Sequence, residues 1–187
     1  MKLTKQNIGA ILFIGTVQFL LFLIIAEALY PCYSTSANYI SDLGVGSTAI
    51  IFNCSIVIFG VLAAVSGYYL FFIYKDRVFS ALIILAGIGA VTVGLFPETA
   101  GIPHYIGALM VFGFGALAAL YTYAVEKKPF AYLSVILGFI SLIALSHILI
   151  QTDYGLGVGG IERMIAYPII IWTLALGAYL MASSKKK

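Results

Sequence analysis

Glu98 and His104 lie six residues apart in the stretch GLFPETAGIPHYIG (94–107), between Pro97 and Pro103. A carboxylate that orients or charges an imidazole is a pairing suited to acid–base work, because histidine changes charge near neutral pH. The prolines predict the end of one helix and the first turn of the next, since proline cannot continue a helix but suits its start. So short a connection makes the two helices antiparallel neighbours, and their side chains can meet. The plainer reading is an interfacial loop whose polar residues face water.

Three other groups invite the same question. Ser41 and Asp42 open a turn, SDLG, within the hydroxyl- and tyrosine-rich segment 30–47, where Ser47 is a reasonable cap for the following helix. An interfacial aromatic belt accounts for the tyrosines but requires no acid, so Asp42 calls for its own explanation. Gly155, Gly157 and Gly160 spell G-x-G-x-x-G formally. A dinucleotide site needs a strand before that motif, whereas here an apolar helical run precedes it. What remains is a flexible loop feeding a helix N-terminus, whose free N–H groups favour anions, with Arg163 as a fork for a phosphate or carboxylate. Against that stands an internal ion pair of Arg163 with Glu162 or Asp153. His147 lies deeper, about 6 Å from the end of its apolar run at 1.5 Å per residue. Ionisable groups at such depth are costly and invite a functional reading, with a hydrogen-bonded structural histidine as the alternative.

The elements that position these residues follow from composition. Of 187 residues, 63% are hydrophobic and only 9% charged, with a mean hydropathy of +1.10. Soluble domains carry about 25% charged residues. Apolar runs at about 8–29, 48–74, 78–96, 103–125, 130–151 and 162–183 are each long enough to cross the ~30 Å hydrocarbon layer. They show no alternation of the kind a barrel strand needs, so the fold class is an all-α membrane protein, a single bundle of six transmembrane helices. The first run is longer than the roughly 7–15 residues of a signal-peptide core and reads as a retained span. Stripes of small residues (Ala86, Ala90 and Gly94; Gly115 and Ala119) read as helix-packing surfaces, and Pro168 as a kink in the last span.

Nine of the ten basic residues fall at one end of this bundle, and Arg163 alone at the other. By the positive-inside rule both termini are cytoplasmic, and the loops 30–47, 97–102 and 152–161 face outward, placing the chain in the cell membrane. Five of the seven acids and both histidines gather at the outward end. Cys32 and Cys54 lack metal-motif spacing and read as two small apolar residues, although a disulfide is feasible if both face an oxidising side.

SDLG at 41–44, Asn53, FPE at 96–98 with His104, IER at 161–163 and Trp172 together resemble the six-span family catalogued as domain of unknown function 998, over essentially the whole chain. That family is distantly similar to eukaryotic six-span proteins implicated in lipid remodelling and membrane organisation. The resemblance implies the fold and assigns no catalytic residue.

The residues themselves suggest an outward-facing site that binds or processes a lipid or lipid-linked substrate. His104 would serve as acid or base, Glu98 or Asp42 as its carboxylate partner, and Ser41, His147, Glu162 and Arg163 as ligand contacts. Whether it is an enzyme, whether the carboxylates and histidines hold a divalent metal, and whether any cofactor binds stay open. Haem between the two histidines would rest on those residues alone. The expected partners are membrane lipids and no nucleic acid, while the small-residue faces permit a homo-oligomer or a membrane complex. The rival is a non-catalytic receptor, transporter or complex subunit. The inner half lacks ionisable side chains along a path, which weighs against an ion conduit.

Overall fold

The computed structural model describes residues 3–150 and 152–183. Lys2 and Lys185–Lys187 of the basic end lie outside the described residues. Six helices follow one another: α1 (Lys5–Leu29), α2 (Ala49–Tyr74), α3 (Arg77–Leu95), α4 (Ile102–Val125), α5 (Phe130–Leu149) and α6 (Gly157–Ala182). All six are long and apolar enough to span a membrane, and there is no strand among the described residues. In lipid an unpaired backbone group has no water to turn to, so the helix is the form such apolar runs must take.

Local chemistry sets the ends. Asp76 caps α3 by accepting the Phe79 N–H at 2.9 Å. Phe96 and Pro97 close α3, and α4 opens with Pro103 in its first turn, as the proline spacing predicts. Ser47 does not cap α2: a 3-10 turn at Gly46–Thr48 precedes it, and the Thr48 hydroxyl donates to the Leu43 carbonyl at 2.8 Å. Helix α6 begins at Gly157, well before the apolar run at 162. Pro168 lies inside α6 without ending it. The Ser141 hydroxyl of α5 donates to the Ile165 carbonyl at 2.9 Å, in the turn that the proline ring disturbs.

Each helix packs against its neighbours in sequence, and α6 returns to α1, closing a ring that α4 and α6 also bridge. With six spans, α1 starts and α6 ends at the same end of the bundle. Lipid tails are as apolar as leucine, so close packing and interhelical hydrogen bonds hold such helices together. Glycine provides the approach. A Cβ built on Gly60 of α2 would stand 2.6 Å from the Gly87 carbonyl oxygen, and one on Gly87 the same 2.6 Å from that of Gly60. The small-residue stripes are indeed contact faces: Ala90 and Ala119 are fully buried, and Gly94 meets α2 and Gly115 meets α6.

Polar ties join the helices along their length. Gln18 donates to the Ser55 carbonyl at 2.9 Å, and the Trp172 indole to the Thr122 hydroxyl at 3.1 Å. At the basic end Lys5 pairs with Glu126 at 3.1 Å, which also accepts the Tyr74 hydroxyl. Cys32 and Cys54 are both free and exposed.

Candidate functional site

The opposite, acid-rich end is built from the 30–48 segment, the turn at Glu98–Ala100 and the facing ends of the helices. SDLG forms a 3-10 turn at Ser41–Gly44. Asp42 holds it by accepting the Asn38 side-chain amide at 2.9 Å and the Tyr39 N–H at 3.1 Å. That turn sets Ser41 beside Glu98, with the hydroxyl donating to Glu98 across a long 3.5 Å. Glu162 rises from the second turn of α6 and accepts the Ile40 N–H.

These residues border a cavity of about 350 Å³. Ser41, Glu98, His104 and Glu162 lie on its polar side, with Tyr39 and Tyr105 beside them, and Leu109, Phe112, Leu145 and Ile148 form its apolar side. From His104 to Phe112 the wall runs about 12 Å along α4 at 1.5 Å per residue. Tyr105 and Leu109 are 61% and 56% exposed, so the cavity opens sideways between α4 and α5, onto the flank that lipid covers in a membrane. A second, smaller cavity of about 60 Å³ reaches into the bundle core behind it, and Ser41, His104 and Glu162 border both.

His104 is only 4% exposed. Its Nδ1 stands 2.9 Å from the Phe96 carbonyl oxygen. A carbonyl only accepts, so Nδ1 carries the proton and Nε2 of the neutral ring is an acceptor. No group among the described residues bonds Nε2. The sequence expectation that Glu98 or Asp42 orients this imidazole is therefore corrected in detail: the end of α3 does so through its backbone. Glu98 turns toward Asp42 and Ser41 instead. Burial, and then a hydrogen bond shared with Asp42, push Glu98 up to about 7. Tyr39 is also raised, first by burial and then by the surrounding carboxylates.

His147 borders a neighbouring pocket of about 290 Å³, with Asp153 and Thr152. Its Nδ1 is 2.7 Å from the Ile143 carbonyl, and its ring packs on Tyr154. The two pockets share Tyr39 and Ile148, but the two imidazoles do not share a cavity. Among the described residues no three of His, Cys, Asp and Glu are grouped to hold a metal ion.

Arg163 points away from the cavity. Its Nη2 donates to Glu27 at 2.6 Å and to the Tyr33 hydroxyl at 2.7 Å. Its Nη1 donates to the carbonyls of Thr35, Asn38 and Gly159 at 2.8, 3.2 and 2.9 Å. The ion-pair partner is Glu27, not Glu162 or Asp153. The glycine-rich stretch is likewise corrected: Gly157 to Gly160 form the first turn of α6, not a loop. The Gly159 N–H is taken by the Ser36 carbonyl at 3.0 Å, and a Cβ at Gly157 or Gly159 would collide with the backbone of Ser36 or Asn38. The glycines let the 34–38 segment lie on the helix end, where the Ser36 carbonyl takes the place the sequence reading gave to an anion. Burial raises Tyr33 to about 12 despite the nearby guanidinium, so its hydroxyl stays protonated.

Sequence reasoning missed Tyr39 and Tyr105 as cavity residues and Glu27 as the partner of Arg163. An acid two residues from the end of the first span and a lone arginine early in the last were the available signal for the pair.

The fold and the site define a multi-pass, six-helix membrane protein with an acid- and histidine-lined cavity at one end of the bundle. The chain belongs to the family described as protein of unknown function (DUF998), which matches residues 13–179. No curated protein and no solved structure matches it.

Proposed function

We propose that the protein binds and processes a lipid or lipid-linked molecule at this cavity, in the outer half of the cell membrane with both termini cytoplasmic. The observation that carries this reading is the shape of the cavity: carboxylates and an imidazole at one side, an apolar wall along α4 and α5, and an opening toward the lipid flank. A headgroup would sit against Ser41, Glu98, His104 and Glu162 while its chain follows Leu109 and Phe112.

The chemistry the residues could supply is proton transfer. His104, fixed through Nδ1, keeps Nε2 for a proton from a nucleophilic hydroxyl or water in the cavity. Glu98, poised near 7, can give a proton to a leaving group. Asp42 tunes Glu98. Arg163 contributes by holding the 30–45 segment that forms the roof. His147 would touch a ligand only if it extends into the neighbouring pocket.

The test is mass spectrometry of lipids retained by the purified protein and by an Ala108→Trp variant, since Ala108 lines both cavities. A stoichiometric lipid lost from the variant is expected, and identical lipid content in both proteins would overturn the binding reading. Incubation with total membrane lipid tests turnover. His104→Ala should slow product formation by on the order of 10²–10⁴, and equal rates would leave a binding protein without catalysis.

A further inference from the structure

The charge of the cavity narrows the class of headgroup. Its wall offers the carboxyl groups of Glu98 and Glu162, and Nε2 of His104 is the ring nitrogen left for a ligand, an acceptor in the neutral ring, because Nδ1 is committed to the Phe96 carbonyl. Glu162 is only 7% exposed, and its Oε2 serves the Ile40 N–H while Oε1 has no partner among the described residues. Two side chains more than nine-tenths buried thus bring unpartnered acceptors to one space. The cationic side chain nearest in sequence, Arg163, spends its Nη donors on Glu27, Tyr33 and backbone carbonyls. Every other lysine and arginine among the described residues sits at the far end of the helices. An acceptor-rich, partly dry cavity without a cation is the wrong environment for a phosphate or carboxylate headgroup, and it leaves buried acceptors short of donors.

The geometry points to a long-chain amine, a lipid whose headgroup carries an ammonium group, as the occupant of this cavity. An ammonium has three N–H donors and no acceptor, matching Glu98, Glu162 and Nε2 of His104. Its chain would leave through the opening flanked by Tyr105 and Leu109. The elevated Glu98 agrees with this, because a carboxylate held up by burial and by a neighbouring acid gains most from a cation. The inference rests on the lipid-binding reading above and specifies its ligand.

The experiment is native mass spectrometry of the full chain from maltoside micelles at pH 7.5, titrated with dodecylamine, dodecanol and dodecanoate. Dodecylamine should bind one to one and at least about tenfold more tightly than dodecanol, because hydrogen bonds to charged groups are worth more than neutral ones. Glu98→Gln and Glu162→Gln should each weaken dodecylamine binding more than dodecanol binding and so reduce that preference. Glutamine at 162 keeps an acceptor for Ile40, and if that variant fails to fold, Glu98→Gln carries the test. Ala108→Trp should abolish binding of the amine. Equal affinity for amine and alcohol, a preference for dodecanoate, or amine binding that survives Ala108→Trp would overturn the inference and leave lipid binding standing. Failure of all three probes to bind folded wild-type protein would overturn the lipid reading and the amine with it.

Discussion

Glu162 and Arg163 are adjacent in α6 yet serve opposite sides: Glu162 borders the cavity, whereas Arg163 pairs with Glu27 at 2.6 Å and anchors the 30–45 segment. This division explains why a single helix end can carry both the roof and the floor of the site. Arg163→Met would leave Glu27 without its cation and the carbonyls of Thr35 and Asn38 without a donor. Removing one partner of a largely buried pair costs on the order of 3 kcal/mol. Thermal melts in maltoside should show that loss, and chymotrypsin should cut the released segment at Tyr30, Tyr33 or Tyr39. Arg163→Lys should recover only part, since an ammonium cannot reproduce the fork. A variant that melts with wild type and resists chymotrypsin would remove Arg163 from this role.

Gly60 and Gly87 set the α2–α3 distance, each facing the carbonyl of the other. Replacing either with valine forces backbone apart rather than a flexible side chain aside. The expected loss is about 1–3 kcal/mol, the usual cost of overpacking. Gly113, where an added Cβ meets nothing within 4 Å, serves as the control, and Gly113→Ala should melt like wild type. Equal melting of all three proteins would show that the helices can separate at little cost.

The raised Glu98 makes stability depend on pH with a definite sign. A carboxyl that ionises near 7 in the fold and at about 4.5 when unfolded binds more protons in the folded state between those values. Its stabilising effect is complete below about 4.5 and disappears as pH climbs through about 7. The groups around it are Asp42 and Ser41 from the turn, Tyr39, His104 and Tyr105 from the start of α4, and Glu162 from α6. The melting temperature of wild type should therefore fall between pH 5 and 8 relative to that of Glu98→Gln, which lacks the titration. Parallel curves for the two proteins would show that Glu98 is not elevated.

The helices were legible because the membrane imposes a simple rule, and runs of about 20 apolar residues have one way to satisfy their backbones. The gathering of Glu98, His104, Glu162 and Ser41 was legible for a related reason: with spans fixed, polar residues at one end must lie near one another. Their pairings were not. His104 bonds the Phe96 carbonyl because the turn between Pro97 and Pro103 folds the α4 end back on α3, and no side-chain pattern encodes a backbone partner. Gly157 and Gly159 read as a flexible loop, although their role is to admit the 34–38 backbone at close range. The partner of Arg163 comes from the first span, at a sequence separation of 136 residues, which local spacing cannot reveal.

The proposed orientation has a direct test in Cys32, which is exposed in the segment after α1, at the acid-rich end. If the positive-inside rule governs this chain, Cys32 reacts with a membrane-impermeant maleimide added to intact cells, and Cys32→Ser removes the signal. Cys54 lies within α2 with its thiol on an exposed flank, where lipid rather than water surrounds it. It should stay unlabelled, because a charged, membrane-impermeant maleimide does not enter the hydrocarbon layer. A cysteine placed at Lys127 in the Cys32→Ser background should label only after the membrane is permeabilised. Labelling of position 127, but not Cys32, in intact cells would invert the topology and put the cavity on the cytoplasmic side.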